Sequence, residues 1–289
     1  MQFTQYTDVH EFHRATNDIL MQHEAQNVIP LGNVLIGVKG EDKTSWRDPA
    51  NWFMATVSDY SGIRLTAIMT PPMNLTLYAT GNQNDPGAIV ELIEGMVQTG
   101  ISIPGVMAEK SLTEMFASIY TGKHNLTHKV VTSQRIYELT QVNPAVAKAG
   151  IRLANERDLA YLPYWDSGFL SDCFAEHSGH KVSGDIEEYR YLTRQGRIYI
   201  MEEAYIPVTM AKISRELYNV CVIGYVYTPP YFRKKGYATA CVAAVSQIGL
   251  NQGYKKCVLY TDLSNPTSNS IYQKIGYKPV CDSDIITFE

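Results

Sequence analysis

The chain has 289 residues, enough for two domains of ordinary size, with 45% apolar and 19% charged side chains and a net charge of −4. This composition excludes a disordered chain, and so small a charge gives no case for nucleic-acid binding. No apolar run approaches the ~20 residues of a membrane helix, and Met1-Gln2-Phe3-Thr4-Gln5 is no basic-then-apolar leader, so a cytoplasmic protein with no membrane partner is expected.

In chain order, Trp52 to Val57 and Ile63 to Met69 read as strands, followed by Thr70-Pro71-Pro72 and a third strand at Leu75-Thr76-Leu77-Tyr78. A helix is expected from Pro86 to about Val97, with Asp85 as its N-cap. Pro104-Gly105-Val106-Met107 is short and extended, and Leu112 to Tyr120 is helical. Pro144 in Asn143-Pro144-Ala145 interrupts an apolar run, which places a domain boundary there, between residues 1–145 and 146–289. Ile151-Arg152-Leu153-Ala154 then starts a new strand.

From Glu156 a helical pattern runs through Leu159, Leu162, Trp165, Phe169, Leu170 and Phe174, and Ser178-Gly179-His180 ends it. A second helix begins after Ser183-Gly184-Asp185 and carries Ile186, Tyr189 and Leu192. Strands are expected at Arg197 to Met201, at about Pro207 to Ile213, and at Val222 to Tyr227. The last of these reaches Thr228-Pro229-Pro230 and breaks into Arg233-Lys234-Lys235-Gly236-Tyr237-Ala238, the start of a helix to about Gln252. Backbone N–H groups at such a helix start, with basic residues beside them, suit an anion such as phosphate. Neither G-x-x-x-x-G-K-[ST] nor G-x-G-x-x-G is present, so the two common nucleotide turns are excluded.

R-x-x-G-x-A after a strand ending in proline resembles the pyrophosphate loop of the GNAT superfamily of acyl-CoA-dependent N-acetyltransferases. Residues 256–277 are similar to that superfamily's second signature. After the strand Lys256 to Thr261 come Asn265, a helix start, Tyr272 seven residues on, and Gly276-Tyr277 leading into a final strand. The resemblance covers the second half of the chain. It implies an α/β (α+β) fold, a mixed, mostly antiparallel sheet flanked by helices. The first half repeats the element order, and Ile68-Met69-Thr70-Pro71-Pro72 echoes Tyr227-Thr228-Pro229-Pro230. It lacks R-x-x-G-x-A, and Asp85 puts a negative charge where a phosphate would sit. The expectation is therefore two GNAT-like domains, 1–145 degenerate and without cofactor and 146–289 catalytic, the first helping to shape the acceptor pocket.

The resemblance implies acetyl-CoA as co-substrate and direct attack by a primary amine. In that pattern the backbone of Val226, Tyr227 and Thr228 pairs with the pantetheine arm. Arg233 supplies charge, Lys234, Lys235, Gly236, Tyr237 and Ala238 bind the pyrophosphate, and Asn265 and Asn269 lie along the arm. Tyr272 protonates the departing thiolate, and Glu202 or Glu203, at a strand end, accepts the amine's proton, directly or through water. Taken singly these residues also read as surface charge or core packing. Ala238, Ala240, Ala243 and Ala244 are expected to bring the helix close to the sheet. The acceptor, a small-molecule or peptide amine, is not legible. Residues 1–145 carry 9 basic and 14 acidic side chains and the remainder 16 and 15, an asymmetry that would attract a cation. The alternative from another class is a non-catalytic acyl-CoA sensor or interaction module. A nucleotide-dependent enzyme is disfavoured because no paired magnesium ligands flank the turn.

The five cysteines, Cys173, Cys221, Cys241, Cys257 and Cys281, contain no C-x-x-C and read as free thiols. Cys173, His177 and His180 have no standard metal-ligand spacing, so no metal is expected. A monomer or homodimer is expected.

Overall fold

The computed structural model describes residues 1–40, 48–81, 85–146, 150–173 and 186–289. The chain forms two compact units, Met1–Ile136 together with Val280–Glu289, and Tyr137–Pro279. Among the described residues no helix is long and apolar enough to cross a membrane.

In the first unit the order is β1 (Gln2–Tyr6), α1 (Val9–Gln22), α2 (Val28–Lys39), β2 (Phe53–Asp59), β3 (Gly62–Met69), β4 (Leu75–Ala79), α3 (Pro86–Gln98), β5 (Gly105–Glu109) and α4 (Lys110–His124). Strand β6 (His128–Leu139) comes next, and the C-terminal strand β12 (Lys278–Phe288) returns to this unit. Its sheet runs β1-β2-β3-β4-β5-β12, antiparallel except where β4 meets β5. Phe53, Ala55 and Val57 face Ile89, Leu92 and Ile93 of α3 and Phe116 of α4. Met54 and Ile68 turn the other way onto Phe12 of α1 and Val34 of α2. β2 is thus buried on two faces, which is why Phe53-Met54-Ala55 and Val57 are apolar with only Thr56 between them. β1, α1, α2 and β6 are elements that the motifs and periodicity described above do not include. α1 nonetheless carries a clear buried stripe, the apolar Val9, Phe12 and Leu20 with Thr16 among them, behind an Asp8 N-cap.

The sequence boundary at 145/146 differs from the observed division at 136/137 and 279/280. The division at 279/280 follows from long-range pairing, in which Ser283–Thr287 of β12 lie antiparallel to Gly105–Glu109 of β5. No local signal marks so distant a partner.

The second unit contains β7 (Ile151–Leu153), a short 3-10 turn (Glu156–Ala160), α5 (Leu162–Cys173), α6 (Ile186–Arg194), β8 (Ile198–Glu203), β9 (Ile206–Glu216), β10 (Val220–Tyr227), α7 (Tyr237–Asn251), β11 (Lys256–Asp262) and α8 (Pro266–Ile275). Its sheet runs β11-β10-β9-β8-β7, parallel only between β10 and β11. The single helix expected from Glu156 is interrupted. Asn155 caps the 3-10 turn reciprocally with Asp158, and α5 starts afresh at Leu162. Phe174, His177, the stop at Ser178-Gly179-His180 and the start at Ser183-Gly184-Asp185 lie outside the described residues. The core joins Tyr199, Ala211, Ile213 and Ile223 of the sheet to Cys241, Val242 and Val245 of α7 and to Ile275 of α8.

Candidate active site

β10 and β11 are in register only over Val220–Val222 and Lys256–Val258, although β10 continues to Tyr227 and β11 to Asp262. Beyond Val222, β10 bulges away: Gly224 pairs with Lys212 and Tyr227 with Met210, so extra residues on β10 oppose a shorter stretch of β9. Tyr225 takes up this bulge at φ 52°, the left-handed region. Residues 224–229 are correspondingly half-buried, after a fully buried start to the strand. At the strand's end the Thr209 hydroxyl is 2.8 Å from both the Tyr227 carbonyl, to which it donates, and the Thr228 hydroxyl.

A 3-10 turn (Pro230–Phe232) then leads into the basic loop. Lys234 and Gly236 both have left-handed backbone, φ 63° and 83°. Gly236 is the N-cap of α7, and among the described residues no side chain caps that helix. The first amides of α7, from Tyr237 and Ala238, therefore lack a side-chain acceptor of the kind Asp85 gives to Gly87 and Ala88 in α3. A Cβ on Gly236 would meet nothing within 4 Å. An uncapped helix start with open space before it and Lys235 beside it is suited to a phosphate group, so these residues fit a pyrophosphate. Lys235 itself lies 5.1 Å from the centroid of the Tyr231 ring. Arg233 is tied down, its Nε donating to the Thr228 carbonyl (2.9 Å) and its guanidinium paired with Asp172 of α5 (2.5 Å).

Close packing behind the loop differs in detail from expectation. Ala243 is buried, but Ala238, Ala240 and Ala244 are only partly covered. The helix lies close to the sheet at Gly249, where a Cβ would be 2.5 Å from the Cys221 sulfur. The Cys221 and Cys257 thiols face each other across β10 and β11 at 3.5 Å, and all five cysteines are free.

Asn265 and Asn269 sit where β11 passes into α8. Asn265 is the N-cap, accepting from the Ser268 amide (3.0 Å). Asn269 donates to the carbonyls of Asp262 (2.9 Å) and Asn265 (2.8 Å) and accepts from the Tyr137 hydroxyl (3.1 Å). These bonds frame the β11–α8 turn. Tyr272, one turn further on, is 8% exposed, with the rings of Tyr137 and Tyr277 around it. Burial, and secondarily the nearby Cys173 thiol, raises its phenol above the ordinary value, so the hydroxyl keeps its proton at neutral pH.

Glu202 is not an open carboxylate. Arg152 donates to it at 2.8 and 2.5 Å and at the same time forks onto Asp158 at 2.6 and 2.8 Å. Glu203, the next residue, is exposed at the β8–β9 turn.

A polar cluster that no sequence motif announces lies under the bulge. Lys212 of β9 and Asp166 of α5 form an ion pair at 2.8 Å, their side chains 7% and 13% exposed. The Lys212 ammonium is 3.9 Å from the centroid of Tyr225 and 5.5 Å from that of Tyr189. The available signal was a lysine inside the apolar run Met210-Ala211-Lys212-Ile213, since a buried lysine requires a partner.

A family model described as the acetyltransferase (GNAT) family matches residues 164–277. Among solved structures, an acetyltransferase of the GNAT family from Colwellia psychrerythraea superposes with TM-score 0.58 at 11% identity, covering 100% of this chain and 99% of that one. A GCN5-related N-acetyltransferase from Sphaerobacter thermophilus gives TM-score 0.64 at 13% identity, covering 98% and 94%. A Drosophila protein gives 0.66 at 11%, covering 99% and 98%. At these identities the likeness is one of fold. No curated protein matches the chain in sequence.

Proposed function

We propose, on the premise that residues 164–277 form an acetyltransferase domain of the GNAT family, that this chain transfers an acetyl group from acetyl-CoA to a primary amine by direct attack. The observation that carries the reading is the uncapped N-terminus of α7 at Gly236, placed beside the point where β10 parts from β11. A thioester supplies the activated acyl group. The chain's own task is to hold it, exclude competing water and manage two protons.

In this reading the parted edge of β10 at Val226, Tyr227 and Thr228 takes an extended arm as a strand would, and the amides from Lys234 to Ala238 take the pyrophosphate. Arg233 serves indirectly by bracing Thr228. Asn265 and Asn269 shape the turn through which the arm passes. Tyr272, protonated in its buried setting, donates to the leaving sulfur. With Glu202 held by Arg152, the amine's proton passes to Glu203 or to water.

The test is calorimetric titration of the full chain with acetyl-CoA, CoA and ATP, then thiol release against a panel of small-molecule and peptide amines. Micromolar-range acetyl-CoA binding at one site per chain, no ATP binding and amine-dependent thiol release are expected. Binding without turnover on any amine would point instead to an acyl-CoA sensor, and no binding would refute the cofactor site.

A further inference from the structure

Helix α5 grips the segment from Tyr225 to Arg233 at both ends. Trp165 lies against the Tyr227 ring with centroids 6.2 Å apart. Gly168 has no room for a Cβ, which would collide with the Tyr227 hydroxyl. Phe169 packs on Tyr225 at 5.0 Å between centroids, and Asp172 takes Arg233. Positions 165, 168, 169 and 172 recur at three and four, so they share one face of the helix. Asp166 adds the buried link to Lys212, which stands opposite Gly224 on β9.

Apolar contact explains most of this face but leaves the ion pair unexplained. A buried pair seldom improves on apolar residues of the same volume, and Met210, which shares a face of β9 with Lys212, shows that this face tolerates an apolar residue. Tyr225 is the other anomaly, a bulky residue in a backbone region that favours glycine, within the stretch where β10 leaves β11. The two meet directly, the ammonium against the face of the tyrosine ring.

We propose that Asp166 and Lys212 are positioning residues for the acyl donor. Asp166 orients the ammonium through the 2.8 Å ion pair. The ammonium holds the Tyr225 ring, and the ring holds the left-handed bulge that keeps the edge of Val226–Thr228 parted from β11. This rests on the reading of the cofactor site above. It assigns to the pair a role in cofactor affinity that a stability role alone would not produce.

The test is the CoA dissociation constant and the Tm of the full chain in Lys212→Met, Lys212→Arg, Tyr225→Gly and the double variant Lys212→Met/Tyr225→Gly. Lys212→Met should weaken CoA binding ~10-fold, a coupling of ordinary size for contacting residues, and Lys212→Arg should restore most of it. Glycine adopts the bulge without help, so in the Tyr225→Gly background Lys212→Met should change affinity less than ~2-fold while still lowering Tm. Wild-type affinity in Lys212→Met, or an equal loss in the two backgrounds, overturns the inference while leaving the cofactor site standing. A wild-type chain that binds no CoA overturns the two together. Should Lys212→Met fail to fold, Asp166→Asn, alone and with Tyr225→Gly, is read by the same criteria.

Discussion

Gly236→Asp separates the anion site from the fold, provided it is measured beside Gly236→Ala. At φ 83° any residue with a Cβ is strained, by roughly 1–2 kcal/mol, and the added atom meets nothing within 4 Å, so strain is the whole steric effect. Gly236→Ala should therefore lower Tm by roughly 2–8 °C and leave most of the CoA affinity in place. The aspartate adds a carboxylate beside the first amides of α7. Against one phosphate charge at ~5 Å and an effective dielectric of ~20 the repulsion is ~3 kcal/mol, or about 10²-fold in affinity. The same carboxylate is favourable to a helix N-terminus, so the aspartate variant should be no less thermally stable than the alanine one. Affinity and stability then move in opposite directions. Calorimetric titration with CoA at low salt, repeated near ~1 M where screening shortens to ~3 Å, should show the gap between the variants shrinking. Equal CoA affinity for Gly236→Asp and Gly236→Ala would refute the placement of the pyrophosphate at α7.

Tyr272→Phe should lower kcat by ~10²-fold with CoA affinity unchanged, and turnover at the wild-type rate would remove this hydroxyl from the proton transfer. Gly249→Ala drives a methyl to 2.5 Å from the Cys221 sulfur and 3.3 Å from that of Cys257, and should cost about 1–3 kcal/mol in urea unfolding. Adding Cys221→Ala should recover much of that loss, and no recovery would locate the strain elsewhere. Burial pushes the Asp158 carboxyl up, but the bonds from Arg152, Tyr161 and the Asn155 amide outweigh it and leave it below its ordinary value. A lowered folded-state pKa gives stability that is complete above about pH 4 and is lost as pH falls through the folded value, because the unfolded chain takes up the proton first. Asp158→Asn should flatten that part of the acid-unfolding profile, and an unchanged profile would mean that Asp158 titrates alike in the folded and unfolded chain.

Much of this protein was legible in local signals. The strand Val222–Tyr227, the turn to Gly236 and the start of α7 at Tyr237 lie where the apolar run, the prolines and the glycine place them. α3 begins at Pro86 behind Asp85, and α8 at Pro266 behind Asn265, because caps act on amides two or three residues away and so are written beside the helix they start. The first 40 residues were harder: α2, Val28–Lys39, is apolar with little periodicity, and a helix covered on many sides leaves no stripe to read.

What only the tertiary structure decided are the pairings of distant charges and strands. Arg152 reaches Glu202 fifty positions away, and Lys212 reaches Asp166 forty-six positions away. The partner of β12 lies in β5, with Ser283 bonded to Ala108 across 175 positions. Composition and spacing determine which stretches become helix, strand or turn, since those choices depend on hydrogen bonds and sterics within a few residues. Whether Glu202 is an open carboxylate or half of an ion pair, and whether Lys212 is a stray charge or half of a buried pair, depends on which faces meet when helices pack on the sheet.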